Sequence, residues 1–284
     1  MSTIFFRALT RPHPSLRSRG PRPALEDAEV ITMQIVGEFL GMDGDKGIWE
    51  YFSLNWHHFF PTIGDRAAFV RQVGNLWYWV ERLHKELANH LHAFSDKIHI
   101  TDGFPVPVCH FKRAHFSKIF KGEADYGHCA AKAQTYYGFK GHLIINSSGV
   151  ITSFCFSAAN VDERDVVFEN AESLHGCLLG DKGLIRPLLT EELQKYGLNL
   201  EHPVRSNMQE IRSEKYLSAM KNQRRLVETV IGQLTERFNI EKVRARNTWR
   251  LANRFMRKIL AHTIGIFINT QLGREPLQFD GLVG

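Results

Sequence analysis

The sequence predicts a mixed α/β sheet domain preceded by an all-helical region. Three observations carry this reading. Apolar residues recur at helical spacing from Glu26 to about Ser95. Beyond Ser95 short alternating runs are punctuated by glycine and proline, the mark of strands and turns. From there to the C-terminal region strand and helix patterns alternate, as they do where helices cover a sheet. The expected organisation is a basic extended arm at 1–25, a helical region at 26–95, a sheet domain at 96–272 and a tail at 273–284.

The elements follow in order. Pro12, Pro14, Pro21 and Pro23 keep residues 1–25 extended. Val30, Ile31, Ile35, Phe39 and Leu40 mark a first helix that stops at Gly41. A second, Gly47 to Phe60, is dense in aromatics, and a third runs from about Asp65 to Leu91; their Trp and Phe side chains are read as core. Lys97 to Asp102 alternates like a strand and is expected to end at Gly103 and Pro105. Tyr136–Asn146 and Val150–Ser157 form a hairpin across a Ser-Ser-Gly turn. A helix from Glu163 to Leu174, a strand from Cys177 to Asp181, a helix from Pro187 to Lys195 and a strand from Asn199 to Pro203 come next. Asp162 and Asp165 are explained as acids at a helix start. Two long helices close the chain, Ala219–Phe238 and about Trp249–Gln271.

Composition excludes several classes. Of the 284 residues 43% are hydrophobic and 23% charged, which suits a folded globular chain rather than a disordered one. The best apolar run, Ile259 to Ile268, falls well short of a membrane span, and four cysteines are too few for a disulfide scaffold. A cytoplasmic protein is therefore expected. The formal net charge of +6 is unevenly laid out: +5 over residues 1–25, +9 over 205–258 and −7 over 26–204. Two basic segments around an acidic middle favour a polyanionic partner such as nucleic acid, against the alternative of a solvated basic helix face. Candidate DNA-backbone contacts are Lys112 and Arg113 after the first strand, Lys140 on the hairpin beside His142, Lys182, Arg224, Arg225, and Arg244 and Arg246 with Lys242, Arg250 and Arg254.

The acids carry the chemistry. Asp102 and Asp181 are expected at the C-terminal ends of strands, where open sheets bind their ligands. Glu228 lies on the long helix off its apolar stripe, sharing a face with Arg224 and Arg225. Three carboxylates without His or Cys companions suit a hard cation, Mg²⁺ or Mn²⁺. Two such ions about 3.5–4 Å apart could clamp the attacking and leaving oxygens of a phosphoryl transfer. A zinc site built from Cys109, His110, His115, His128 and Cys129 is disfavoured, because adjacent pairs rarely aim at one metal and no C-x₂-C spacing occurs.

Five blocks in order, Thr101-Asp102-Gly-Phe-Pro-Val-Pro-Val-Cys109, Tyr136-Tyr-Gly-Phe-Lys140-Gly-His142, Ala159-Asn160-Val-Asp162, Leu179-Gly-Asp181-Lys182-Gly183 and Arg224-Arg225-Leu-Val-Glu228-Thr, resemble a bacterial insertion-sequence transposase. The pattern is most similar to the nine-eighty-two family of insertion sequences, DDE-type transposases with a ribonuclease-H-like core. The resemblance implies Asp102, Asp181 and Glu228 as the catalytic, metal-binding acids. It implies Mg²⁺ or Mn²⁺, two ions, for nicking transposon ends and joining them to target DNA. It further implies terminal inverted repeats as partner, a homo-oligomer on DNA and a nucleoid-associated location. The helical region 26–95 is then a DNA-binding or a dimerisation element. The sequence departs from the pattern at Leu184, where such proteins usually carry Tyr. The readings from other classes are a DNA-binding remnant that does not cut and a stand-alone metal-dependent endonuclease.

Overall fold

A computed structural model describes residues 23–129, 133–171 and 173–282. Residues 1–22 of the expected arm lie outside that set.

Four helices open the described chain: α1 (Asp27–Phe39), α2 (Asp45–Asn55), α3 (Arg66–Asn75) and α4 (Trp77–His90). A capping box between Glu26 and Glu29 starts α1, and Gly41, at φ +72°, follows its end as its spacing predicts. Asp65 caps α3 by accepting the Ala68 N–H at 2.9 Å. The single helix expected over 65–91 is in fact two, broken at Leu76, which leaves helical geometry (φ −95°, ψ 0°). Gly74 and Asn75 immediately before it are poor helix formers. The carbonyls freed at the break are not left orphaned: Trp249 Nε1 donates to Gly74 O and Asn253 Nδ2 to Val73 O, both at 3.0 Å.

The sheet contains β1 (Ile98–His110), β2 (Asp125–Cys129), β3 (Gln134–Asn146), β4 (Ile151–Ala158), β5 (Gly176–Leu179) and β6 (Leu198–Glu201), with a one-turn helix α5 (Phe111–Ala114) after β1. β3 runs antiparallel to β1 on one edge and to β2 and β4 on the other, while β1, β5 and β6 are parallel neighbours. The predicted hairpin is β3–β4; Asn146 Oδ1 accepts from Ser148 N and Val150 N, and Gly149 takes the left-handed φ of +84°. β2, short and interrupted by Gly127, is a strand the sequence pattern does not announce.

β1 corrects the expected strand end. It continues through Gly103, Pro105 and Pro107 to His110. Pairing with β5 covers only Ile98–Ile100, and Lys97 O, which accepts from Cys177 N, shows that odd-numbered residues of β1 face that side. Past Ile100 that edge has no strand partner, so prolines lacking an N–H are tolerated there.

The remaining helices are α6 (Glu163–Asn170), α7 (Pro187–Lys195), α8 (Glu214–Glu236) and α9 (Thr248–Gln271). α8 starts five residues before its apolar stripe suggests, because Ser213 caps it by accepting from Tyr216 N. Helices cover both faces of the sheet. Val167, Leu189 and Leu193 of α6 and α7 pack with Ile144, Leu178, Leu198 and Leu200. On the other face Phe255 of α9 meets Phe154 and Phe156 edge-on. α9 also joins the helical region to the sheet: His84 bonds Thr263, and the buried Glu38 pairs with Arg257 and Lys258. No helix of the described residues is long and apolar enough to cross a membrane.

Candidate active site

Register brings two of the predicted acids together. The last paired residues of parallel β1 and β5 are Ile100 and Leu179, and Asp102 and Asp181 each stand two positions beyond them. There β5 has ended and β1 runs on. Asp102 is therefore a mid-strand residue at a parted edge, not the strand terminus expected from sequence. Alternation places it on the face of its partner Leu143, the face that α8 and α9 cover.

The Asp102 carboxylate accepts the Gly103 N–H at 2.8 Å, satisfying a donor the open edge leaves free. Burial pushes its pKa up to about 6; the Gly103 N–H opposes this, the negative charge of Glu163 adds to it, and Arg224 and Asp181 act in opposite directions with smaller effect. Asp181 starts the 3-10 turn Lys182–Leu184, its Oδ1 accepting from Lys182 N at 2.7 Å. The same oxygen lies 3.5 Å from Arg224 Nη2. Leu184 is buried in the apolar cluster beneath and packs as core.

Glu228 is exposed on α8, one turn beyond Arg224 and on its side of the helix. Among the described residues no three His, Cys, Asp or Glu side chains are gathered closely enough to hold a metal ion. The donor chemistry of Asp102 and Asp181 nonetheless fits a hard divalent cation: oxygen ligands only, with mutual repulsion that a cation relieves.

Sequence reasoning missed Glu163, which it passed over between Asp162 and Asp165. Asp162 does cap α6, accepting from Arg164 N at 2.9 Å, and Asp165 pairs with Arg186. Glu163 instead pairs with Lys140 at 3.1 Å and lies against Gly103. The available signal was Gly103 itself, a glycine within a strand without a turn to explain it.

The basic candidates divide. Lys112, Arg113, Lys182, Arg225 and Arg246 are exposed. Arg244, also exposed, stands 3.4 Å from Asp43, and Lys242 shares that acid. Lys140 is half-buried against Glu163, and its neighbour His142 is buried and bonded to Ser157 Oγ at 2.9 Å. Arg254 is corrected outright: it is buried, donates to the Asp43 carbonyl, and is lowered to about 10 chiefly by burial. Trp249 docks edge-on against Trp77 of the helical region. The four cysteines are free thiols.

The model of the family described as "Transposase DDE domain" matches residues 92–248, more than half of the chain and the part that holds Asp102, Asp181 and Glu228. No curated protein sequence matches. A solved structure, the piggyBac transposase synaptic complex with hairpin DNA, is similar at 11% identity over 98% of this chain and 74% of that one, with a TM-score of 0.49. On the family match, the chain belongs to the DDE-domain transposases.

Proposed function

We propose that the chain cleaves DNA at the ends of a bacterial insertion sequence of the nine-eighty-two type and joins those ends to target DNA, in a metal-dependent reaction. The observation that carries this reading is the register that sets Asp102 and Asp181 side by side past the Ile100–Leu179 pair. Strand order supports a ribonuclease-H-like core: an antiparallel group continued by parallel β5 and β6 with helices on both faces.

Asp102 and Asp181 would hold the cation, with Glu228 supplied from α8. A bound Mg²⁺ or Mn²⁺, or a pair of them, supplies Lewis acidity toward the scissile phosphate and its attacking oxygen. The chain's own residues do the rest. The Gly103 N–H orients the Asp102 carboxylate. Arg224, largely buried beside Asp181, would turn its remaining N–H donors to an incoming phosphate, and the exposed Arg225 and Lys182 extend that positive rim. Lys112, Arg113, Arg244 and Arg246 give affinity for the DNA backbone without sequence information. The terminal inverted repeats are read by the helical region 26–95, or that region dimerises the protein; pairing two ends requires more than one protomer on DNA.

The test is a gel assay of labelled DNA carrying the element's inverted repeats. Wild-type protein is expected to nick the ends and join them to a second duplex only with Mg²⁺ or Mn²⁺. Asp181→Asn and Glu228→Gln are expected to lower the rate by about a thousandfold or more, the scale of losing a metal-activated nucleophile. Undiminished cutting by either variant overturns the site. Salt-sensitive binding without cutting identifies a DNA-binding remnant, and cutting without joining a nuclease.

A further inference from the structure

Gly103 occupies the middle of β1 with an ordinary extended backbone; its φ is not positive, so no turn demands a glycine there. Glycine weakens a strand interior and often marks a place where something comes close. Here that is the Glu163 carboxylate: a Cβ on Gly103 would lie 2.9 Å from Glu163 Oε1, and one on Gly183 would lie 3.9 Å from Oε2. Glu163 thus reaches both the strand bearing Asp102 and the turn after Asp181. It arrives from behind, since Gly103 alternates with Asp102 and faces the side of Lys140 and His142. Lys140 Nζ holds it at 3.1 Å, both side chains being partly shielded from water.

We propose that Glu163 is a positioning residue for the acid centre. Held by Lys140 in the space that Gly103 leaves open, it fixes the relative placement of Asp102 and the Asp181–Gly183 turn, and its charge deepens the negative potential that draws a divalent cation. The proposal rests on the reading of Asp102 and Asp181 as the DNA-cleaving centre. It separates Lys140 from the DNA-contacting cations, because its ammonium is engaged within the protein.

The test combines Mn²⁺ binding to the full chain, followed by the paramagnetic signal of free Mn²⁺, with kinetics of end cleavage and thermal melting. Glu163→Gln keeps the shape and removes the charge. It is expected to weaken Mn²⁺ binding about three- to tenfold, the effect of losing one negative charge a few ångströms from the cation near a protein surface. It is also expected to lower kcat about tenfold, with KM for DNA unchanged within about twofold. Gly103→Ala is expected to do the same in the wild-type background, and to add little in a Glu163→Ala background, where the crowding is gone. Wild-type Mn²⁺ affinity and kcat in Glu163→Gln, or additive effects of Gly103→Ala and Glu163→Ala, would overturn the proposal, and a change in melting alone would assign Glu163 to helix stability. Asp181→Asn serves as the control. If it too leaves Mn²⁺ binding and cleavage untouched, the centre itself is misassigned; if it abolishes them while Glu163→Gln does not, only the positioning role falls.

Discussion

Glu38→Ala is expected to cost about 3–5 kcal/mol of folding stability, a large share of the roughly 5–15 kcal/mol that a domain possesses. Glu38 accepts from Arg257 Nε at 2.5 Å and from Lys258 Nζ at 2.7 Å, and all three side chains are essentially inaccessible to water. Arg257 has a second acid, Asp45, at 2.6 Å; for Lys258 no acid besides Glu38 is within ion-pair distance among the described residues. Burial already pushes Lys258 down to about 8 despite Glu38. Removing the carboxylate strands an ammonium in the interior, and whether it keeps or sheds its proton the native state is penalised. Adding Lys258→Met should return part of the loss, since an apolar side chain of similar size requires no partner. Urea unfolding measures both variants. A loss below about 1 kcal/mol for Glu38→Ala would show that this network does not fasten α1 to α9.

Asp102→Asn is expected to abolish cleavage and at the same time to stabilise the metal-free protein at pH 8, by about 1–3 kcal/mol. The native carboxyl, with burial the main cause, is raised from 3.8 to about 6. Below about pH 4 it is protonated in folded and unfolded chains alike, so the substitution is then nearly silent. As pH rises from about 4 to 6 the unfolded chain ionises first and stability falls, and above 6 the full cost of a charged native Asp102 is present. Asparagine removes that cost while its amide oxygen can still accept the Gly103 N–H. Unfolding in chelator at pH 4 and pH 8 checks the sign. An equal gain at both, or none at pH 8, would contradict the burial and repulsion assigned to this group.

These opposed effects show what could be read from sequence and what could not. Asp102 stood out at the end of an alternating run and Asp181 after a short apolar one, and the β3–β4 turn and the bounds of α7 follow from local chemistry. The extent of β1 was not. Gly103, Pro105 and Pro107 look like a strand's end unless one knows that β5 stops early and leaves that edge free. The +9 segment misled for a related reason. Charge counts say nothing of burial, and Arg254, Arg257 and Lys258 are turned inward on α9 toward the acidic α1–α2 junction. The apolar residues flanking them, Leu251, Phe255, Ile259 and Leu260, were the clue to a helix buried on most of its surface. Glu163 was missed because its partners, Gly103 and Lys140, are distant in sequence and meet only through the register of β1 with β3, which left Gly103 as the one hint.

The proposed centre gathers Asp102 and Asp181, with Glu228 from α8, around the divalent cation. Fe²⁺ substituted at that site generates hydroxyl radicals with ascorbate and peroxide, and these cut the protein backbone only close to the ion. Scission of the full chain is expected at three places, near residues 102, 181 and 228, suppressed by excess Mg²⁺ and lost in Asp181→Asn. Scission centred instead on Cys109–His110 and His128–Cys129, or none that depends on Asp181, would contradict it.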